Sequence, residues 1–134
     1  MISISTKINK NIDALLIDKV HLLLGKAATE FEKEMKQEIE YGAKTGNQYQ
    51  RGNNFHTASA PGQAPASDSG KLAGSIRYEK KSNDKHEVSI NSEYALALEV
   101  GTSRMAARPF ITPALQNAKK KLMKAIRAMN KGNK

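Results

Sequence analysis

Residues 94–113 read YALALEVGTSRMAARPFITP, and the fold depends on whether the first half of that stretch is strand or helix. Tyr94, Leu96, Leu98 and Val100 alternate as a strand would, whereas Ala-Leu-Ala-Leu-Glu has high helical propensity. The expectation is a short helical turn leading into a strand. Gly101 supplies a residue free to adopt positive φ, so the chain reverses at Gly101-Thr102-Ser103. Pro109 holds Arg108 extended, and Thr112 followed by Pro113 is a helix start, with the cap preceding a proline at the first helical position. A final helix then runs from about Pro113 to Asn130, burying Leu115, Ala118, Leu122, Ile126 and Met129. Glu99 stands two residues before Gly101. Its carboxylate has two candidate uses: accepting the N–H groups of the reversal, or pairing with Arg104 or Arg108. Either makes the turn rigid and sets Phe110 beside Arg108, a pairing typical of interface anchors. The competing reading keeps Phe110 as ordinary core.

Outward from this stretch the elements alternate in type. Tyr78 to Lys81, the turn Ser82-Asn83-Asp84-Lys85, and His86 to Asn91 read as a hairpin with Tyr78, Val88 and Ile90 inward. Before it, Asp68 or Ser69 caps a short helix through Leu72 and Ile76. Residues 42–70, GAKTGNQYQRGNNFHTASAPGQAPASDSG, are rich in Gly, Pro, Ser, Asn and Ala. Within them Tyr49 and Phe55 flank Arg51-Gly52-Asn53-Asn54, which suggests a two-stranded arm, followed by an extended Pro-Gly segment from Ala60 to Pro65. Such an arm, spanning 43–67, is too polar to fold by itself and is expected to be loose until ordered against a neighbour. From Ile8 to Glu40 apolar residues recur in steps of three and four, the mark of one long amphipathic helix ending near Gly42. At 1.5 Å per residue it would span roughly 45–50 Å, so one end projects from a small domain. Glu30, Glu32, Glu34, Glu38 and Glu40 are assigned to its outer side, and irregular heptads favour core packing over a coiled coil. The fold class is therefore α+β: a long N-terminal helix and a basic C-terminal helix packed on a small antiparallel sheet, in one domain of 134 residues.

Composition narrows the functions. The most apolar stretch, Ala14 to Leu24, is interrupted by Asp18, Lys19 and His21, which excludes both a membrane span and a secretory signal. Cysteine is absent, ruling out disulfide and thiolate chemistry. With 22 basic and 13 acidic side chains the net charge is +9, and all of that excess is matched by residues 100–134, which hold nine Lys or Arg and no acid. Lys119, Lys120, Lys121, Lys124 and Arg127 on the last helix are candidate contacts for DNA or an acidic partner, against the alternative of a solvated helix face.

No catalytic or metal centre emerges. His56, Ser59 and Asp68 share one flexible segment without a nucleophile elbow. The three histidines are not at ligand spacing, no phosphate-binding glycine loop is present, and no cofactor is expected. A basic nucleic-acid-binding module is the alternative function, although no reader motif or aromatic stacking platform accompanies the charge.

The two informative segments also carry a resemblance. YALALEVGTSRMAARPFITPAL resembles the pattern Tyr-Ala, Glu-x-Gly-Thr, Arg-Pro-Phe and Pro-Ala of the tail-component family of long-tailed bacteriophages typified by the tenth gene product of phage Hong Kong 97. TGNQYQRGNNFHTASAPGQAPASDSGKLAGSI resembles that family's upstream pattern: Tyr-x-Arg-Gly, His-x-Ala-Ser-Ala-Pro-Gly, Pro-Ala, an acid with Gly, Leu, and Ser-Ile. Together they cover about half the chain in the family's order. The matches in the upstream segment are Tyr49, Arg51, Gly52, His56, Ser59, Pro61, Gly62, Pro65, Asp68, Gly70, Leu72, Ser75 and Ile76. Downstream they are Tyr94, Glu99, Gly101, Thr102, Arg108, Pro109, Phe110 and Pro113. Gln63 departs from the pattern, where the family often has an acid. The resemblance implies a non-enzymatic α+β protein of the phage neck, acting in tail completion or head-to-tail joining. It would form a homo-oligomeric ring in the virion, touch adjacent neck and tail proteins, and be made in the host cytoplasm. The subunit interface would then comprise Tyr49, Arg51, His56, Pro61, Pro65, Asp68, Tyr94, Glu99, Gly101, Thr102, Arg104, Arg108, Pro109 and Phe110, with the arm of one subunit lying on residues 99–110 of the next.

Overall fold

The computed structural model describes residues 2–5, 14–67 and 69–132, the first four as backbone only. Asp68 of the expected interface and the segment Ile8 to Asp13 of the expected first helix lie outside the described residues. In chain order the elements are β1 (Ile2–Ser5), α1 (Ala14–Tyr41), β2 (Gln48–Arg51), β3 (Asn54–Thr57), α2 (Lys71–Gly74), β4 (Ile76–Ser82), β5 (Lys85–Ile90), α3 (Ala95–Val100) and α4 (Ile111–Lys131). The architecture is α+β, with a three-stranded antiparallel sheet in the order β1-β5-β4 and a separate two-stranded hairpin β2-β3.

The β4-β5 hairpin forms as its alternation requires, Tyr78 opposite Val88 and Ile76 opposite Ile90. Ile76 and Val88 are buried, and Tyr78 and Ile90 pack against the same core. His86 is buried beside them, its Nδ1 2.8 Å from the Tyr78 hydroxyl. The expected short helix ends earlier than its pattern suggested: Ile76 belongs to β4, and Gly70, at φ 74°, stands in the cap position without a side-chain hydrogen bond. β1 adds a strand on the far side of β5, in register Ile2 to Val88.

Helix α1 stops where Gly42 N–H and Lys44 Nζ both reach the Glu38 carbonyl, at 3.2 and 3.0 Å, which satisfies an end carbonyl with a cation close by. Its second half supplies the core residues Ala28, Phe31, Met35 and Ile39, which meet Phe110, Ala114 and Ala118 from the α4 side and Ile76 and Val88 from the sheet. The first half, Ala14 to Ala27, contains no fully buried side chain, and Leu15, Leu16 and Leu22 are exposed.

The acids of α1 correct the sequence reading. Glu34 is buried rather than outward, and with Glu30 it faces Lys121 of α4, the Glu30 contact being 2.5 Å. Glu38 receives Asn117 Nδ2 at 3.4 Å. The acidic side of α1 is thus in part the seam against the basic helix.

Candidate functional site

The arm exists, but it is shorter than its composition suggested. In the β2-β3 hairpin Gln48 pairs with Thr57 and Arg51 with Asn54, and the chain turns at Gly52, where φ is 62°. Tyr49 and His56 stack across it, ring centroids 5.9 Å apart. Every residue of β2 is exposed, and Phe55 on β3 is 74% exposed. A two-stranded ribbon with an outward phenylalanine has little to bury on its own.

Residues 58–65 are not part of a loose arm, because they pack on their own chain. Gly46 N–H donates to the Ala58 carbonyl at 2.8 Å and Ala58 N–H to the Asn47 carbonyl at 2.9 Å, closing the base of the hairpin. The strands cross so closely there that a Cβ on Gly46 would lie 2.7 Å from the Ala58 and Ser59 carbonyl oxygens. Gln63, the departure from the family pattern, brackets the same place. Its Oε1 accepts from Thr45 N–H at 2.9 Å and Ala60 N–H at 2.8 Å, while its Nε2 donates to Thr45 Oγ1. A carboxylate could not make that last donation. The Ala60 to Pro65 stretch is a reversal rather than an extended run, with Gln63 N–H returning to the Ala60 carbonyl and Gly62 N–H bonded to the Ala107 carbonyl at 2.9 Å. Ser59, Ala64 and Pro65 are buried, and Pro61 is exposed.

Arg108 joins the two candidate segments. Its guanidinium donates to the Ser59 carbonyl and, at 2.6 Å, to Ser59 Oγ. Its backbone N–H donates to the Leu98 carbonyl at 2.6 Å. Tyr49, Ser59, Pro65, Tyr94, Leu98 and Arg108 consequently line one cleft of about 380 Å³ at the foot of the hairpin. Four residues of the expected interface, Tyr49, Pro65, Tyr94 and Arg108, are brought together here across 59 positions of sequence, counted from Tyr49 to Arg108.

Glu99 does neither of the things foreseen for it. The chain enters a full α3 helix with no strand after it, and Gly101 (φ 79°, ψ 173°) reverses the chain toward Thr102, which bridges to Met105. Thr102 N–H bonds the Met105 carbonyl at 2.8 Å, so the reversal satisfies itself without Glu99. Thr102 Oγ1 accepts Arg104 N–H, and both residues are exposed. The Glu99 carboxylate instead accepts Phe110 N–H at 2.8 Å, Ile111 N–H and Thr112 N–H at 2.9 Å, and the Thr112 hydroxyl at 2.6 Å. It caps α4 from a distance, meeting the unpaired donors and the positive end of the helix dipole at once. Burial pushes this carboxyl upward, but the Thr112 hydroxyl and the three backbone N–H groups prevail and hold it below the ordinary carboxylate range. Thr112 is therefore capped rather than capping, and Pro113 sits in the first turn, where its missing N–H has no helical acceptor to lose.

Phe110 is a further correction. It is fully buried in the core, so it is no exposed anchor beside Arg108. Pro109 is half-buried next to it. The apolar surface of this region is instead the outer side of α3: Leu96 is 70% and Val100 65% exposed, one turn apart, with Tyr94 nearby. Of the basic residues, Lys119, Lys120, Lys124 and Arg127 are exposed. Lys121 leaves that set, since Glu30 first and Glu34 next hold its amine up to about 12.

Among the described residues no three His, Cys, Asp or Glu side chains are grouped to hold a metal ion, and no helix is long and apolar enough to cross a membrane. No protein-family model, no curated protein and no solved structure matches this chain.

Proposed function

We propose that this protein is a structural, non-catalytic subunit of a tailed-phage or prophage virion, one that forms a homo-oligomeric ring at the head-to-tail junction and there meets adjacent neck and tail proteins. The observation that carries the reading is the β2-β3 hairpin. Its foot is fastened by Gly46, Ala58, Gln63 and the Arg108–Ser59 contact, while β3 presents Phe55 to solvent. A fastened ribbon with an exposed aromatic is suited to lie on a second surface. The outer side of α3, with Tyr94, Leu96 and Val100, is an apolar surface of different shape on the same chain. Two unlike surfaces that fit each other make a head-to-tail contact, which closes into a ring when the rotation between subunits permits. The resemblance of both segments to the phage tail-component pattern points the same way.

The test excises residues 48–57 and joins Asn47 to Ala58 through two glycines, a deletion that leaves the packed 58–65 segment in place. Circular dichroism checks that the helices persist, and sedimentation velocity compares the assembly state with that of the native chain and of Leu96→Ser/Val100→Ser. Loss of the higher species in both variants is the expected result. Native-size assemblies in the excised variant would remove the hairpin from the mechanism.

A further inference from the structure

Helix α4 spans 21 residues without an Asp or Glu, yet carries Lys119, Lys120, Lys121, Lys124, Arg127 and Lys131. Lys121 is satisfied by Glu30 and Glu34. The other five are exposed and make no ion pair among the described residues. Lys120, Lys124, Arg127 and Lys131 follow one another at steps of four, three and four, which keeps them within one narrow arc of the helix. At 1.5 Å per residue they form a straight line of cations about 16 Å long. The buried side, Ala114 and Ala118, lies opposite. Lys119 flanks the line across a shallow concavity shared with Gln116, Lys120, Met123 and Arg127.

Cations three and four residues apart repel and weaken the helix that bears them. The dipole at the helix C-terminus compensates only in the last turn, which covers Arg127 and Lys131 but leaves Lys119, Lys120 and Lys124 uncompensated. Of the acids of α1, Glu30 and Glu34 meet Lys121, Glu38 meets Asn117, and Glu32 pairs with Lys36. We infer that this line of α4 is a binding surface for the phosphodiester backbone of double-stranded nucleic acid, read by charge without sequence preference. Protein partners select against lysine and for aromatic residues at their contacts, and here four of the five free cations are lysine with Met123 the one large apolar residue exposed among them. Lysines serve phosphate as point charges, and the absence of an aromatic side chain on α4 gives unpaired bases nothing to stack on. This surface is independent of the proposed ring contact, being on a different element from the hairpin and from α3.

The experiment is fluorescence anisotropy with a 30-base-pair duplex, repeated from 50 to 200 mM salt, for the native chain, for Lys120→Gln/Lys124→Gln/Arg127→Gln, and for a control, Lys71→Gln/Arg77→Gln/Lys85→Gln, that removes the same charge from other exposed sites. Circular dichroism confirms that each variant folds. Four phosphate contacts at about 0.9 each give a slope near −3.6, so native binding should weaken about a hundredfold across that range, against roughly fourfold in the α4 variant. The control should keep the native slope. The same measurements on the chain lacking residues 48–57 separate the two proposals, since the slope per chain persists there even if assembly is lost. Equal loss in the control and the α4 variant, tighter binding to a 30-nucleotide single strand than to the duplex, or displacement of the duplex by an equal charge concentration of polyglutamate would each overturn the assignment.

Discussion

Replacing Glu99 by alanine tests the central joint of the fold. The carboxylate accepts four hydrogen bonds, three from backbone N–H groups of the first turn of α4 and one from the Thr112 hydroxyl. Loss of a helix cap costs about 0.5–2 kcal/mol, and loss of a carboxylate at the positive end of a helix about 0.3–1 kcal/mol more. The site is partly open to water, which screens the charge and rehydrates Thr112, so the middle of the combined range rather than its top applies and roughly 2 kcal/mol is the working figure. For a chain of this size that is a fall in melting temperature of about 6–8 °C by differential scanning calorimetry. Glu99→Gln keeps the shape but loses the charge, and turns an amide donor toward groups that are themselves donors. It should lie close to the alanine variant rather than to the native protein.

The pH dependence supplies an independent check. The folded carboxyl titrates below its unfolded value of about 4.5. Its contribution is therefore complete above that value and is lost as pH falls through the folded pKa, because the unfolded chain takes up the proton first. Glu30 is held low chiefly by its hydrogen bond from Lys121 and adds to the same acid limb. That part is common to native and Glu99→Gln. Subtracting the two melting curves between pH 7 and pH 3 isolates Glu99, and the difference should shrink as the acid limb is entered. A Glu99→Ala melting temperature within about 2 °C of native, a small fraction of the shift expected for a cap at this chain length, or a difference that stays constant down to pH 3, would refute the capping argument.

Gly101→Ala should cost at least about 2 kcal/mol, since the new residue would be forced into a backbone region reserved for glycine. Its Cβ would also lie 2.8 Å from Ala107 N and 3.0 Å from the Met105 carbonyl oxygen, and chemical denaturation of the variant against native measures the combined loss of stability. Lys121→Met should lower the melting temperature at pH 7 by leaving buried Glu34 without its cation, and a second change, Glu34→Gln, should restore most of the loss. In the native protein the Lys121 contribution is complete below the unfolded value of 10.5 and is lost only as pH rises through about 12, so alkaline melts up to pH 10 should leave the native-to-variant difference unchanged.

The parts of this fold that were legible in the sequence are those set by local periodicity. The β4-β5 hairpin followed from alternating Tyr78, Val88 and Ile90, and helices α1 and α4 followed from steps of three and four. The hairpin arm was legible from Gly52 between two aromatic strands. What was hidden depended on distant partners. Glu99 has two arginines close by in sequence, and nothing local says that the donors it accepts from are eleven to thirteen residues downstream. Phe110 beside Arg108 looks like an anchor until the core is assembled around it. The Gly, Pro and Ser of residues 58–65 concealed a segment held by hydrogen bonds as well as by burial of Ala64 and Pro65, and Gln63 was the one signal, an amide where the resembled pattern often has an acid. β1 is four residues long, too short for alternation to distinguish it from chance.

The Glu99 cap has a consequence for both proposed surfaces. Glu99 belongs to α3, and the groups it holds open α4. Arg108 ties the intervening segment to Leu98 on α3 and to Ser59 at the foot of the hairpin. The hairpin, the outer face of α3 and the cationic line of α4 are thereby fixed to one another through two side chains, with no long linker between them. A neighbour seated on Leu96 and Val100 would set the direction of every α4 helix around a ring, so the lines of cations would repeat at one fixed angle. Loosening Glu99 would then disturb ring contact and phosphate binding together, whereas changes at Phe55 or at Lys124 would each affect only one. That pattern of shared and separate losses is what a rigid joint requires, and independent surfaces on a flexible chain would not produce it.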